Sequence, residues 1–259
     1  MRLLKIILSV SLIIFLIYNC TKNPTAPPLT MSTLRISLTD APVDYENVNI
    51  TFSEVSVKFG NEWKIINGQS QTLDLLTLTN GKTVLLGESE LEPGKYHQIR
   101  LKVSAAEVIY NGQNYSLTVP SGAQSGLKFG PSFDIEAGIT YELIVDFDAN
   151  KSIVPLGPRK EYTGFILKPF IRVIPKLASG SISGRVTNKE DLPIAYAISG
   201  TDTLTSSSVD TTSGDFLLGY IPEGTYTVSV VDTLGKTYTN SGVSVTVGQT
   251  TNLGEITLQ

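Results

Sequence analysis

The sequence has one cysteine and one histidine in 259 residues. A disulfide framework needs paired thiols and a structural zinc centre needs about four Cys or His ligands, so both are excluded. Basic residues are not in excess: 20 Lys and Arg stand against 24 Asp and Glu, a net charge of -4. Nucleic-acid affinity rests largely on neutralised phosphates, so no nucleic acid is expected as a partner. Charged residues make up only 17% of the chain, while 41% is hydrophobic. That balance supplies a core and argues against wholesale disorder. Amphipathic helices longer than about ten residues are missing from the pattern. There is no G-x-S-x-G elbow for a serine nucleophile and no phosphate-cradling loop followed by Lys-Ser/Thr. The single histidine, His97, lies in the strand-like run Tyr96-His97-Gln98-Ile99. An enzyme is therefore not expected.

The chain opens with Met1-Arg2-Leu3-Leu4-Lys5, followed by an uncharged run from Ile6 to Tyr18. A basic start and a short apolar run form the layout of an export signal, and a bilayer span needs about 20 residues. Cys20 closes the run and Thr21-Lys22-Asn23-Pro24-Thr25-Ala26-Pro27-Pro28 follows as a polar tether. Leu16-Ile17-Tyr18-Asn19-Cys20 resembles a bacterial lipobox, with Tyr18 and Asn19 where that pattern has small residues. The resemblance implies a signal peptide over 1–19, a lipidated Cys20, a flexible tether over 20–32, and a membrane partner through the lipid anchor. It implies a bacterial cell-envelope location. Thr21 in place of Asp carries no inner-membrane retention signal, which points to the outer membrane.

Beyond the tether the sequence alternates with period two, the mark of half-buried strands. Leu34, Ile36 and Leu38 are one set. Val48, Ile50 and Phe52, then Val55, Val57 and Phe59, then Ile99, Leu101 and Val103 are others. Leu143, Val145 and Phe147 continue the pattern, and Ile166 to Val173 repeats it with a shift at Pro169. Gly60-Asn61, Asn80-Gly81, Pro93-Gly94 and Asn111-Gly112 supply turns. Leu73–Leu78 is the one candidate for a helical turn. Charge density falls near Ala178: residues 33–177 hold 14 basic and 16 acidic residues, whereas 179–259 hold 3 and 8. That shift marks a domain boundary. The expected fold is all-β: two β-sandwich domains in tandem, Ig-like or transthyretin-like, over 33–177 and 179–259. In the second, Val243, Val245 and Val247 read as one strand.

Two family resemblances follow. Leu38-Thr39-Asp40-Ala41-Pro42, Val48-Asn49-Ile50-Thr51-Phe52, Gly94-Lys95-Tyr96-His97-Gln98-Ile99-Arg100-Leu101, Phe133-Asp134-Ile135-Glu136-Ala137-Gly138, Val145-Asp146-Phe147-Asp148 and Leu167-Lys168-Pro169 resemble domain of unknown function 4382. That resemblance implies a β-sandwich in the cell envelope and no known reaction. Ile182-Ser183-Gly184-Arg185-Val186, Gly214-Asp215-Phe216 and Ile221-Pro222-Glu223-Gly224-Thr225-Tyr226-Thr227-Val228 resemble a carboxypeptidase-regulatory-like domain. That one implies a transthyretin-like sandwich without a peptidase site.

Two sites stand out. No cofactor is expected, with one alternative: Asp146 and Asp148 lie two apart, on one strand face, and with Asp40 and Asp44 they form a candidate cation site that suits calcium. An EF-hand does not fit, because Lys151 and Gly157 occupy its Gly and Glu positions. The plainer reading places Asp40 and Asp146–Asp148 in turns that accept backbone N–H bonds. Trp63, beside a hairpin turn, is the candidate glycan platform, with Tyr45, Tyr110, Tyr115 and Tyr162 near other turns. The function expected is a non-enzymatic binding or structural module with an envelope protein as partner. The alternative is a carbohydrate-binding accessory lipoprotein, calcium-assisted, with a glycan as partner.

Overall fold

The computed structural model describes residues 30–42, 44–120, 125–158 and 161–259. Cys20 and the signal lie outside these residues. Among the described residues no helix is long and apolar enough to cross a membrane.

Alternation builds the first half. In β1 (Ser32–Asp40), Leu34, Ile36 and Leu38 face inward and are wholly buried. Burying each contributes roughly 1.5–3 kcal/mol. β2 (Asn47–Phe59) and β6 (Gly94–Tyr110) are long and pair antiparallel from Asn47↔Ile109 to Phe59↔Tyr96. β3 (Glu62–Asn67) and β4 (Gln71–Asp74) pair with β2. β5 (Val84–Leu91) pairs with β1. β7 (Gln113–Ser116), β8 (Leu127–Phe129) and β9 (Phe133–Ile135) pair with β6. The opposing sheet runs in the order β13-β10-β1-β5, with β10 (Thr140–Phe147) parallel to β1 and antiparallel to β13 (Ile171–Pro175). Between β10 and β13 lie a short helix, α1 (Ala149–Ser152), and the hairpin β11 (Ile153–Leu156) with β12 (Gly164–Leu167). The two sheets enclose one core, in which Leu34, Ile36 and Leu38 meet Val48, Ile50, Phe52, Ile99 and Leu101.

The second half is β14 (Ser179–Val186), β15 (Ile194–Ser199), β16 (Asp202–Ser208), β17 (Asp215–Pro222), β18 (Gly224–Val231), β19 (Thr237–Val245) and β20 (Thr250–Ile256). Its sheets, β17-β14-β20 and β16-β15-β18-β19, enclose a separate core around Ile182, Phe216, Leu218, Val228 and Val230. The fold is all-β and built of sandwiches, as the alternation predicts. Met31–Gln259 is one compact unit with two cores.

Local details differ from the expectations. The helical turn is shorter: a 3-10 turn at Leu75–Leu78, capped by Asp74, whose Oδ1 accepts the Leu76 N–H. The strand of Val243 and Val245 stops there, and Val247 is exposed. The shift at Pro169 is a full break. Pro169 has no N–H to donate, and the chain around it is tied to α1: Lys168 N–H donates to the Ser152 carbonyl and Phe170 N–H to Ser152 Oγ, both at 2.8 Å.

One device recurs in both sandwiches. Tyr96 follows the turn Pro93-Gly94 and donates its hydroxyl to the Glu92 carbonyl at 2.8 Å. Tyr226 follows Glu223-Gly224 and donates to the Pro222 carbonyl at 2.9 Å. In each case the phenol ties the start of a strand to the carbonyl four residues back, while its ring joins the core. Removing either hydroxyl leaves a carbonyl without that donor, and a net hydrogen bond is worth about 1 kcal/mol. Tyr96→Phe and Tyr226→Phe are each expected to cost about that in urea unfolding. A combined cost near twice that is expected, because the two cores are separate.

Candidate functional site

The outer face of the first sandwich is set by register. Thr39 on β1 pairs with Asp146 on β10, and Asp146 with Arg172 on β13. Because Leu38 and Val145 point into the core, Thr39 and Asp146 point away from it. That face is covered by the second sandwich, so Asp146 is buried rather than solvated. Arg172 holds it: Nη2 and Nε donate to Asp146 Oδ2 at 2.6 and 3.1 Å, while Nη1 donates to the Tyr220 carbonyl on β17 at 3.1 Å. One guanidinium thus ties the two halves together.

The seam has further ties. The turn Asn80-Gly81, with φ of 58° and 71°, forms as the sequence predicts. Its side chain, however, reaches the other half: Asn80 Oδ1 accepts from Ser207 Oγ and from the Leu217 N–H, the latter at 3.3 Å. Tyr220 Oη donates to the Gly81 carbonyl at 3.2 Å, and Lys151 Nζ to the Thr203 carbonyl at 2.9 Å. Tyr220 has φ of 56°. A left-handed backbone at a bulky residue costs on the order of 1–3 kcal/mol and persists where its surroundings over-determine it. Both the phenol and the carbonyl of Tyr220 are engaged across the seam.

The structure brings three of the four predicted cation ligands to this end of the first sandwich and assigns each other work. Asp40 Oδ1 accepts the Ala149 N–H at 2.9 Å, across 109 residues of sequence. Burial pushes its carboxyl well above the usual range, against that hydrogen bond, and the Asp146 charge adds to the rise. Burial also raises the Asp146 carboxyl, with Arg172 pulling the other way. Asp148 caps α1, accepting the Lys151 N–H at 3.0 Å, and pairs with Lys151 Nζ at 2.9 Å. Asp44 is exposed, and its charge acts on Tyr45. Among the described residues no three His, Cys, Asp or Glu side chains are placed to hold a metal ion. The four-carboxylate calcium site is therefore corrected: two of its members are neutralised by cations of the chain itself, and Asp44 stands apart in solvent.

Trp63, the candidate glycan platform, is partly engaged within the first sandwich. It is half-buried, and the Arg100 guanidinium lies 4.2 Å from its ring centroid. Arg100 is fixed there by Glu54 Oε1 at 2.7 Å and Ser56 Oγ at 3.0 Å. That cation occupies one face of the indole, so less of the ring is left for a sugar than the sequence suggests. His97 is exposed, with Ser132 Oγ 3.5 Å from its Nδ1, at the limit of hydrogen bonding.

The turn tyrosines do gather. Tyr45, Tyr110, Tyr115 and Tyr162 surround the buried Phe165 with ring centroids 5.0 to 5.9 Å from it. All four are half-buried. Their clustering is not visible in sequence, since they come from three separate segments, Tyr110 and Tyr115 sharing the β6–β7 hairpin. Asn80, Arg172 and Tyr220 were likewise silent as seam residues. The one sequence signal was the Asn-Gly turn itself, which gives the backbone and not its contacts.

A family model described as a domain of unknown function (DUF4382) matches residues 31–169. No curated protein matches the chain. Among solved structures, similarity is found to the Bacillus anthracis TIE protein: 11% identity, TM-score 0.23, over 88% of this chain and 34% of that one. The major pilin subunit BcpA of Bacillus cereus is similar at 10% identity and TM-score 0.20, over 88% of this chain and 70% of that one. The shaft pilin SpaA from Lactobacillus rhamnosus GG shows 10% identity and TM-score 0.23, over 88% and 97%. The chain thus spans about a third of the TIE protein. At such TM-scores these likenesses carry no argument about function.

Proposed function

The chain belongs to the DUF4382 family, and from that premise we propose that it is a lipid-anchored cell-envelope protein acting as a non-enzymatic structural module. In this reading Cys20 carries the lipid, residues 20–32 are the tether, and the family sandwich with a carboxypeptidase-regulatory-like sandwich behind it forms one rigid spacer that holds an envelope partner at a set place. The outer membrane is the proposed location. The observation that carries the reading is the seam: Arg172, Asn80, Tyr220 and Lys151 each bond across it. Two modules on a loose linker have no use for four such ties, whereas a spacer that must keep its length does.

The test has two arms. Cys20→Ser is expected to move the protein from the membrane fraction to the soluble fraction of cells. Continued membrane retention would remove the anchor from the reading. The full chain is also expected to unfold in one calorimetric transition, with the seam coupling both cores. Two independent transitions, each with its own midpoint, would make the halves separate beads.

The tyrosine cluster favours a second reading, carbohydrate binding at the end of the first sandwich. Rings that offer part of their faces to solvent suit the C–H faces of sugars, and Tyr110 and Tyr162 stand 5.4 Å apart. Tyr162→Ala is expected to abolish binding on a glycan array. An array with no signal for the parent chain would retire this reading.

A further inference from the structure

The large sheet of the first sandwich has an outer face built from β3, β2, β6 and β8. Val55, Val57, Ile99 and Leu101 point into the core, so Ser56, Lys58, Arg100 and Lys102 point the other way. Register carries that face across four strands. Ile65 lies opposite Ser56, Ser56 opposite Arg100, and Arg100 opposite Lys128. Trp63 lies opposite Lys58, and Glu54 opposite Lys102. These rows hold four cations and one carboxylate, in a chain whose net charge is -4.

That carboxylate is already shared. Glu54 Oε1 accepts from Arg100 and Oε2 from Lys102, each at 2.7 Å. Among the described residues Lys58 and Lys128 form no ion pair. Nearby charges are spoken for: Glu62 pairs with Lys64, and Asp134 lies opposite Lys95. The surplus is not balanced from within the sheet, and it works against the sheet. Like charges directly opposite on neighbouring strands are destabilising, and Arg100 meets Lys128 in that way. A neutral residue at 128 would make the better strand pair.

Beside these cations stands the single tryptophan of the chain. Arg100 covers part of its ring, and the half-buried indole keeps the remainder in solvent. Ile65 is 57% exposed and Lys128 is exposed. An aromatic ring, an apolar side chain and a row of cations thus share one open face, four strands or about 14 Å wide. We propose that this face binds an acidic polysaccharide of the uronic-acid class, laid across β3, β2, β6 and β8. Its sugar C–H groups rest on Trp63 and Ile65, and its carboxylates meet Lys58, Arg100, Lys102 and Lys128. Charge complementarity selects an anion, since ammonium and guanidinium groups bind carboxylates by charge-assisted hydrogen bonds. The ring beside them favours a sugar polymer over an acidic protein surface. Tyr110 lies ten residues beyond Arg100 on β6, so this face is separate from the tyrosine end and independent of the reading given for it.

The single tryptophan makes the test direct. Oligogalacturonate is titrated into the full chain in detergent at low ionic strength, with Trp63 emission and calorimetry read together. A saturable change in emission is expected, weakening as salt screens the cations. Dextran, which is uncharged, is expected to give none. Lys58→Ser combined with Lys128→Thr is expected to weaken binding by about tenfold, which the loss of one charged hydrogen bond suffices to cause. The same double variant is expected to melt at or above the parent's temperature, because its sheet loses a repulsive pair; a structural role for the two lysines would lower it. Tyr162→Ala is expected to leave the titration unchanged. Three results would overturn the proposal. One is calorimetry that shows no binding of oligogalacturonate. Another is binding that the double variant keeps at full strength, or that Tyr162→Ala abolishes. The third is polyglutamate bound as tightly as oligogalacturonate with Trp63 emission unchanged, which would make the face a dock for an acidic protein.

Discussion

Arg172→Met is expected to destabilise the protein by about 3–5 kcal/mol at pH 8, the usual cost of stripping a buried ion pair of one partner. Asp146 is the reason. Its side chain is 6% exposed, and its ionised form rests on two guanidinium bonds. Methionine keeps the apolar stem of Arg172 and removes the charge, so what is measured is the stranded carboxylate. Asp146 then gains from protonation, and the penalty shrinks as pH falls through the range in which it binds a proton. Chemical denaturation at pH 8 and pH 4 checks this: a large cost at the first and a small one at the second. Equal costs at both would mean that Arg172 acts through packing alone. The substitution also removes a donor to the Tyr220 carbonyl. The left-handed Tyr220 should therefore relax, and exchange at Leu217 should rise with it.

Gly214→Ala is expected to cost on the order of 3 kcal/mol, from two causes acting together. Gly214 sits at φ of +82°, where a side chain is strained. A Cβ built there would lie 2.3 Å from the Val186 carbonyl oxygen. That oxygen cannot retreat, because Val186 closes β14 and its N–H is itself bonded to the Gly214 carbonyl at 2.8 Å. Gly112 has a similar φ of +72° with nothing within 4 Å of its Cβ position. Gly112→Ala should thus show the backbone cost alone, about 1 kcal/mol. The difference between the two, read from urea midpoints at constant slope, isolates the steric contact. Equal effects would leave only the backbone term.

Much of the fold was legible because it rests on period two. Leu34-Ile36-Leu38, Ile99-Leu101-Val103 and Tyr226-Val228-Val230 all sit inward as their alternation requires. The turns at Asn80-Gly81 and Pro93-Gly94 were legible because few residues accept a left-handed backbone. The parallel pairing of β1 with β10 was not, since nothing local encodes which distant strands meet. It is this pairing that places Thr39 beside Asp146. The same blindness explains how both candidate sites differ from their sequence reading. Asp40, Asp146 and Asp148 looked like a cation site because spacing shows shared faces and not the Arg172 and Lys151 that come to neutralise them. Trp63 looked free because Arg100, 37 positions later on β6, reaches its ring across β2 only in the folded sheet.

The sequence by itself therefore determined the class of fold, the two cores and the turns, all of which follow from short-range alternation and from backbone preference. Only the tertiary structure decided which charged groups are buried, which rings are covered, and that a second sandwich closes over Asp146. Those outcomes depend on desolvation and on partners tens of residues away, and a carboxylate's chemistry is set by its surroundings rather than by its neighbours in the chain.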